Sequence, residues 1–167
     1  MNRRSLLATG LVLPLAAPAL AQEAFPNRPV RLLLAFAPGG GTDLIARTLG
    51  NAMGPALGQP VVVENRPGAG GNIATEQAAS ARPDGYTMLM GNHGPMSVNV
   101  SLFRNMRINP ETALEPIGLV ADAPLVVVVG PKSRARTLRE LLDEIRAARG
   151  NITYGSASIG SASHLAA

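Results

Sequence analysis

The chain has 167 residues, no cysteine, 15 basic against 11 acidic side chains and 46% hydrophobic content; this excludes a disulfide scaffold, a thiolate metal site and a disordered chain. The net charge of +4 falls to +2 once Arg3 and Arg4 are set aside, and the other positive side chains are scattered arginines and one lysine, Lys132. Phe25, Phe36, Phe103, Tyr86 and Tyr154 are the only aromatics, so no interleaved basic and aromatic surface exists for nucleic acid, which is set aside as a partner.

Residues 1–21 have the parts of an export signal: Arg3 and Arg4, an apolar stretch over 6–20, and Ala19-Leu20-Ala21 as a small-x-small cleavage site before Gln22. The Arg3-Arg4 pair with Ser5, Leu6 and Leu7 also resembles a twin-arginine signal, and both routes lead out of the cytoplasm. Gly10, Pro14 and Pro18 interrupt the apolar stretch, which falls short of the roughly 20 residues of a membrane span. Export without cysteine fits a bacterial periplasm, and a soluble mature chain is expected from residue 22.

Residues 30–36 read as a buried strand, and 42–57 as a helix carrying Leu44, Ile45, Leu49 and Met53 at helical spacing until Gly58 and Pro60 stop it. Val61-Val62-Val63 predicts a second strand, 66–71 a loop, 72–81 a short helix and 86–90 a third strand after the Pro83-Asp84-Gly85 turn. This βαβαβ order predicts a parallel sheet covered by helices. Beyond His93 a short helix is expected near 97–103, then two apolar strands over 117–120 and 125–129, split by Asp122-Ala123-Pro124, where the chain crosses to a second lobe. The spacing of Leu138, Leu141, Leu142 and Ile145 predicts an amphipathic helix over 137–149, ended by Gly150. A strand over 152–154 and a helix from Ser161 follow, and the sequence stops at Ala167 within that helix.

Two glycine-rich loops, each placed between an expected strand and an expected helix, carry the chemistry: Ala37-Pro38-Gly39-Gly40-Gly41-Thr42-Asp43 and Gly155-Ser156-Ala157-Ser158-Ile159-Gly160-Ser161. The first amides of a helix lack intrahelical partners and lie at the positive end of its dipole, so small residues there let a carboxylate or phosphate reach several N–H donors. The first loop is not a P-loop, which ends in Gly-Lys-Ser/Thr. Neither glycine run fits G-x-G-x-x-G, because Leu44 follows Gly39 and Gly41 and Ile73 follows Gly68 and Gly70. The second loop does not fit G-x-S-x-G, since two residues separate Gly155 from Ser158.

Its serines cap a helix or donate to a ligand, although a secreted hydrolase using Ser161 and His164 is a rival reading. His93 lies in the loop after the third strand, where α/β ligands bind; His93 and His164 lack the spacing of a metal pair, and no metal or cofactor is expected. Asp43 is favoured at a first helical turn for its own sake, and the alternative is selectivity, its charge repelling a second carboxylate nearby.

Together Pro38-Gly39-Gly40-Gly41-Thr42-Asp43-Leu44-Ile45-Ala46-Arg47, Val63-Glu64-Asn65-Arg66-Pro67-Gly68-Ala69-Gly70-Gly71-Asn72-Ile73-Ala74-Thr75-Glu76, Pro83-Asp84-Gly85-Tyr86-Thr87, and Tyr154-Gly155-Ser156 with Gly160-Ser161 and His164-Leu165 resemble the tripartite tricarboxylate transporter substrate-binding receptors, also called Bug receptors. The likeness covers 25–167 and departs at Asn99-Val100, where Asn-Pro is common.

It implies an α/β, two-lobed periplasmic binding protein-like fold of type II. A signal peptide would occupy 1–21, lobe 1 residues 22–123, and the crossover strand with an incomplete lobe 2 residues 124–167. A monomeric receptor without catalytic activity is implied, one that closes on a small carboxylate and delivers it to the membrane permease subunits of a transporter. A sensing protein serving a membrane signalling partner is the alternative, since fold alone does not separate the two.

The implied ligand-binding residues are Pro38, Gly39, Gly40, Gly41, Thr42 and Asp43 from the first loop, Asn92 and His93, and Ser156, Ser158, Gly160 and Ser161 from the second. Micromolar affinity needs about 8 kcal/mol, and a charge-assisted hydrogen bond contributes roughly 1.5–3 kcal/mol. One loop alone is therefore expected to bind at millimolar levels, and family members continue past the point where this sequence stops; weak binding or none is expected of residues 22–167 by themselves.

Overall fold

The computed structural model describes residues 24–167; the export-signal reading of 1–21 lies outside them. The ordered framework begins with β1 (Val30–Leu34), α1 (Gly41–Leu57), β2 (Val61–Asn65), a 3-10 turn (Ala69–Gly71), α2 (Asn72–Ala79) and β3 (Thr87–Met90). All pairing is parallel in the order β2-β1-β3, with Val30 opposite Val61, Leu34 opposite Asn65, and Leu34 opposite Met90 on the other edge. The βαβαβ unit expected from the sequence is therefore present. Because β1 is flanked on both edges and covered on both faces, it must be apolar nearly throughout, and Val30, Leu32, Leu33, Leu34 and Ala35 are all buried.

Side chains alternate across the sheet. Leu32 and Leu34 pack with Ala46 of α1 and with Met90, with Ile45, Leu49, Val61, Val63 and Met88 around them. Ala35 instead lies against Gly71, where α2 begins. Burying a leucine of this kind stabilises the fold by about 1.5–3 kcal/mol. Leu44, expected on the apolar stripe of α1, is exposed; Ala46 and Gly50 face the sheet, and Gly58 in the left-handed region ends the helix.

Arg31 grips Glu64 across β1 and β2 with two hydrogen bonds, Nε to Oε1 at 2.7 Å and a terminal nitrogen to Oε2 at 2.9 Å, and Arg66 adds a third at 3.1 Å. Arg31, helped by Arg66, holds the Glu64 carboxyl down at about 2, below the ordinary 4.5. A depressed carboxyl contributes stability that is complete above its unfolded value and lost as pH falls through its folded value. Thermal stability is therefore expected to fall between about pH 4.5 and pH 2, and melting curves of Glu64→Gln should show a shallower fall there. Equal slopes for the two proteins would remove Glu64 from the account.

After β3 the chain forms a π-helical turn (Gly94–Val98) continuous with α3 (Asn99–Leu102), then α4 (Pro110–Ala113), α5 (Leu138–Ala148) and α6 (Ala162–Leu165). Thr137 and Glu140 build a reciprocal capping box at the start of α5. The helix predicted over 137–149 is thus correct, but none of its residues is buried.

The strands expected over 117–120, 125–129 and 152–154 are not formed, which corrects the crossover strand placed after residue 124. Val128 is 83% exposed, and Ile117, Leu119, Val126 and Val127 stand equally open. These residues have strand propensity, but a strand is stabilised only when a neighbour accepts its backbone hydrogen bonds and packs on its face, and no described segment does so. Among the described residues no helix is long and apolar enough to cross a membrane.

Candidate functional site

In an open parallel sheet ligands bind beyond the carboxyl ends of the strands. Here the loops after β1, β2 and β3 all emerge at that edge, bringing together residues 35–40, 66–71 and 91–93.

The first loop is built for open amides. Gly40 is the N-cap of α1 and has no side chain to cap it, and the first intrahelical bond runs from the Leu44 N–H to the Gly40 carbonyl at 3.1 Å. The N–H groups of Gly41 and Thr42 precede that bond at the positive end of a 17-residue helix. Pro38, Gly39, Gly40 and Gly41 are exposed and Thr42 half-buried.

Asp43 is buried, and both of its oxygens are engaged. Oδ2 accepts from the Gly39 N–H and from Arg47 Nε, each at 3.0 Å, and Oδ1 accepts from Asn65 Nδ2 at 2.9 Å. Arg47 first, then the Gly39 and Asn65 donors, hold its carboxyl well below the usual carboxylate range. Asn65 also donates to the Phe36 carbonyl at 3.0 Å and accepts from Arg47 at 3.2 Å. Beside the dipole and selectivity roles open to Asp43 from the sequence, the geometry displays another: its hydrogen bonds to Gly39 and Asn65 tie the loop to the end of β2. Asn65 and Arg47 belong to the motifs that carry the resemblance but not to the expected ligand-binding residues; the four-residue spacing of Asp43 and Arg47 is the sequence signal for their pairing.

Asn92 Oδ1 accepts from the Gly94 N–H at 3.1 Å, turning the chain into the π-helical segment, and His93 is exposed at that turn. In the second loop Ser156 is exposed, Ser158 half-buried and Ser161 buried. Ser161 caps α6: its Oγ accepts from the N–H groups of Ser158 and His164 at 3.3 Å and lies 3.1 Å from Ser163 Oγ. His164 Nδ1 accepts instead from the Gly160 N–H at 3.4 Å. Ser161 Oγ thus has backbone and hydroxyl partners, and no hydrogen bond joins it to the imidazole as a nucleophile and base would require.

The second loop sits directly on the first lobe. A methyl group at Gly70 would collide with the Ile159 carbonyl, one at Gly94 with the Gly160 carbonyl, and one at Gly160 with Asn99 Oδ1. Asn99 is 0% exposed, and its Nδ2 donates to the Gly70 carbonyl at 3.0 Å and to Asn72 Oδ1 at 2.7 Å. The structure thereby brings Gly160 and Asn92 to one place around Gly94, a residue outside the expected site, with Gly70 and Asn99 packed against residues 159 and 160. Among the described residues no three His, Cys, Asp or Glu side chains cluster to hold a metal. An open groove between Phe25, Asn27, Arg28, Arg82 and Tyr86 lies at the opposite, amino end of the sheet, its wall formed by Arg28 stacked 4.1 Å from the Tyr86 ring.

Comparison with known proteins agrees with this architecture. Over 152 residues the chain is 39% identical to the protein BugT of Bordetella pertussis, covering 90% of this chain and 46% of that protein. Among solved structures, the periplasmic binding protein BugD is 41% identical with a TM-score of 0.74, over 84% of this chain and 47% of that one. MatC from Rhodopseudomonas palustris, solved with bound malate, is 33% identical with a TM-score of 0.78, over 83% and 47%. The chain therefore spans about half the length of the relatives it matches and has the α/β fold of periplasmic binding proteins. The family model described as tripartite tricarboxylate transporter family receptor matches residues 45–167, and with that match the chain belongs to this solute-binding receptor family.

Proposed function

We propose that this chain belongs to a receptor that captures a small carboxylate in the periplasm, between its first and second glycine-containing loops, and passes it unaltered to a tripartite tricarboxylate-type permease. The observation that carries the reading is the uncapped, exposed start of α1 at the carboxyl edge of the sheet, stiffened by Asp43, Arg47 and Asn65. A carboxylate set there meets N–H donors at a helix dipole's positive end without displacing any side chain. Pro38 to Thr42 form the contact surface, Asp43 braces it, Asn92 and His93 border the cleft, and Ser156, Ser158, Gly160 and Ser161 close it from the second lobe. Lobe 1 runs over 22–123 and the second begins after it, behind a signal peptide over 1–21. The malate in MatC supports a dicarboxylate as the first ligand class to try.

The test is thermal-shift and calorimetric titration of the gene's complete reading frame, expressed without residues 1–21, against mono-, di- and tricarboxylates including malate. A side chain at Gly40 meets no atom closer than 4.0 Å, and its φ of −82° suits any residue. Gly40→Leu should therefore fold normally while covering the amides, and is expected to weaken binding at least about tenfold, one lost charge-assisted hydrogen bond. Ser161 is a poorer choice because it is buried and caps α6. A folded protein silent to the whole panel, or undiminished binding by Gly40→Leu, would overturn the reading.

A further inference from the structure

Residues 158–161 form a β-turn closed by a hydrogen bond from the Ser161 N–H to the Ser158 carbonyl at 3.1 Å. Gly160 occupies its third position with φ +80°, the value of a type II turn, where a glycine is wanted. Types I and II share the same ends and differ by the orientation of the middle peptide, here Ile159–Gly160. A glycine at the third position can adopt both.

What surrounds that peptide is unusual. On one side Asn99 is wholly buried, with both amide hydrogens used and with Oδ1 the single buried side-chain polar atom lacking a partner among the described residues. This oxygen lies against the α-carbon of Gly160, and the Ile159 carbonyl lies against the α-carbon of Gly70 beside the same amide. On the other side the Gly160 N–H reaches His164 Nδ1 at 3.4 Å, the long limit of a hydrogen bond. A buried acceptor without a partner thus stands next to a donor held by a weak one. Buried polar groups are nearly always paired, so such an exception needs a cause.

We propose that the Ile159–Gly160 peptide is a two-position switch, and that Asn99 is the positioning residue for its second position, where a flip carries the Gly160 N–H from His164 Nδ1 to Asn99 Oδ1. In the position observed the Ile159 carbonyl rests on Gly70, and Asn99 Oδ1, without a hydrogen-bond partner, lies against the Gly160 α-carbon, a contact far weaker than an N–H bond. After the flip that carbonyl leaves Gly70, the N–H points inward, the Asn99 amide is fully paired and the His164 ring is released. The closing bond from Ser161 to Ser158 is kept throughout. The second loop then presents a different set of backbone groups to its surroundings while staying seated on the first lobe.

The test removes the competing acceptor. His164→Phe keeps a ring beside Tyr154 but has no Nδ1; His164→Ala is the second variant in case the first does not fold. In either, the Gly160 amide proton is expected to exchange at least about tenfold more slowly than in the unsubstituted chain, because its partner is now buried. A through-hydrogen-bond coupling between Gly160 nitrogen and the Asn99 side-chain carbonyl carbon should appear with it. Exchange that is unchanged or faster, or absence of that coupling in a folded variant, would overturn the proposal. Neither reading depends on a ligand, so failure here leaves the receptor assignment standing and failure of carboxylate binding leaves the switch standing.

Discussion

Leu34→Ala is expected to destabilise the chain by about 2–5 kcal/mol, whereas Val127→Ala should change stability by less than about 0.5 kcal/mol. Leu34 is completely buried in the central strand, packed with Ala46, Leu32 and Met90 beneath α1. Its truncation leaves a cavity between a sheet and a helix that are each held rigid by their own internal hydrogen bonds, so the site collapses only partly to fill it. Val127 has the same apolar character but is 73% exposed and packs against nothing that a deleted methyl would abandon. Urea unfolding of both variants checks the contrast, with a shift in midpoint at unchanged slope expected only for Leu34→Ala. A comparable loss in Val127→Ala would mean that residues 117–129 are packed.

Asn99→Ala is the second large effect, expected at about 2–6 kcal/mol. Alanine removes the Nδ2 donor and leaves the Gly70 carbonyl and Asn72 Oδ1 buried without it, each costing about 1–3 kcal/mol. The loss should be local as well as global. Asn99 joins the 3-10 turn and α2 to α3 and lies beneath Gly160, so hydrogen exchange at the amides of Gly70, Asn72 and Gly160 should accelerate before the strands open. Uniform acceleration across β1, β2 and β3 would show instead that Asn99 contributes only to global stability. Gly94→Ala, which pushes a methyl group into the Gly160 carbonyl, should loosen the same amides by overpacking.

Much of the first lobe was legible in the sequence because its signals are local and agree with one another. An uninterrupted apolar run followed by Pro38-Gly39-Gly40-Gly41 and a helical stripe allows little besides strand, turn and helix, and the turn residues at Gly58, Pro60 and Pro83-Asp84-Gly85 divide the chain where the structure does. The capping box of Thr137 and Glu140 is likewise readable from four residues. The unformed strands depart from their sequence signal for the complementary reason. Leu125 to Val129 carry as strong a strand signal as Val61 to Val63, but pairing is a property of two segments, and only the second has a neighbour.

The same division runs through the site. Sequence alone determined which residues have little side chain to obstruct a backbone amide, hence the glycine-rich loops, and which helix supplies the dipole behind the first of them. Tertiary structure decided what those loops rest on. It turned Asp43 toward Gly39, Arg47 and Asn65, seated residues 159 and 160 on Gly70 and Gly94, and buried Asn99 between α2 and the second loop. Helix periodicity, turns and caps depend on neighbours within about four residues along the chain, so a linear pattern records them. A buried hydrogen bond between residues 27 or 29 positions apart leaves no such pattern, and exists only once the sheet has fixed where its two ends meet.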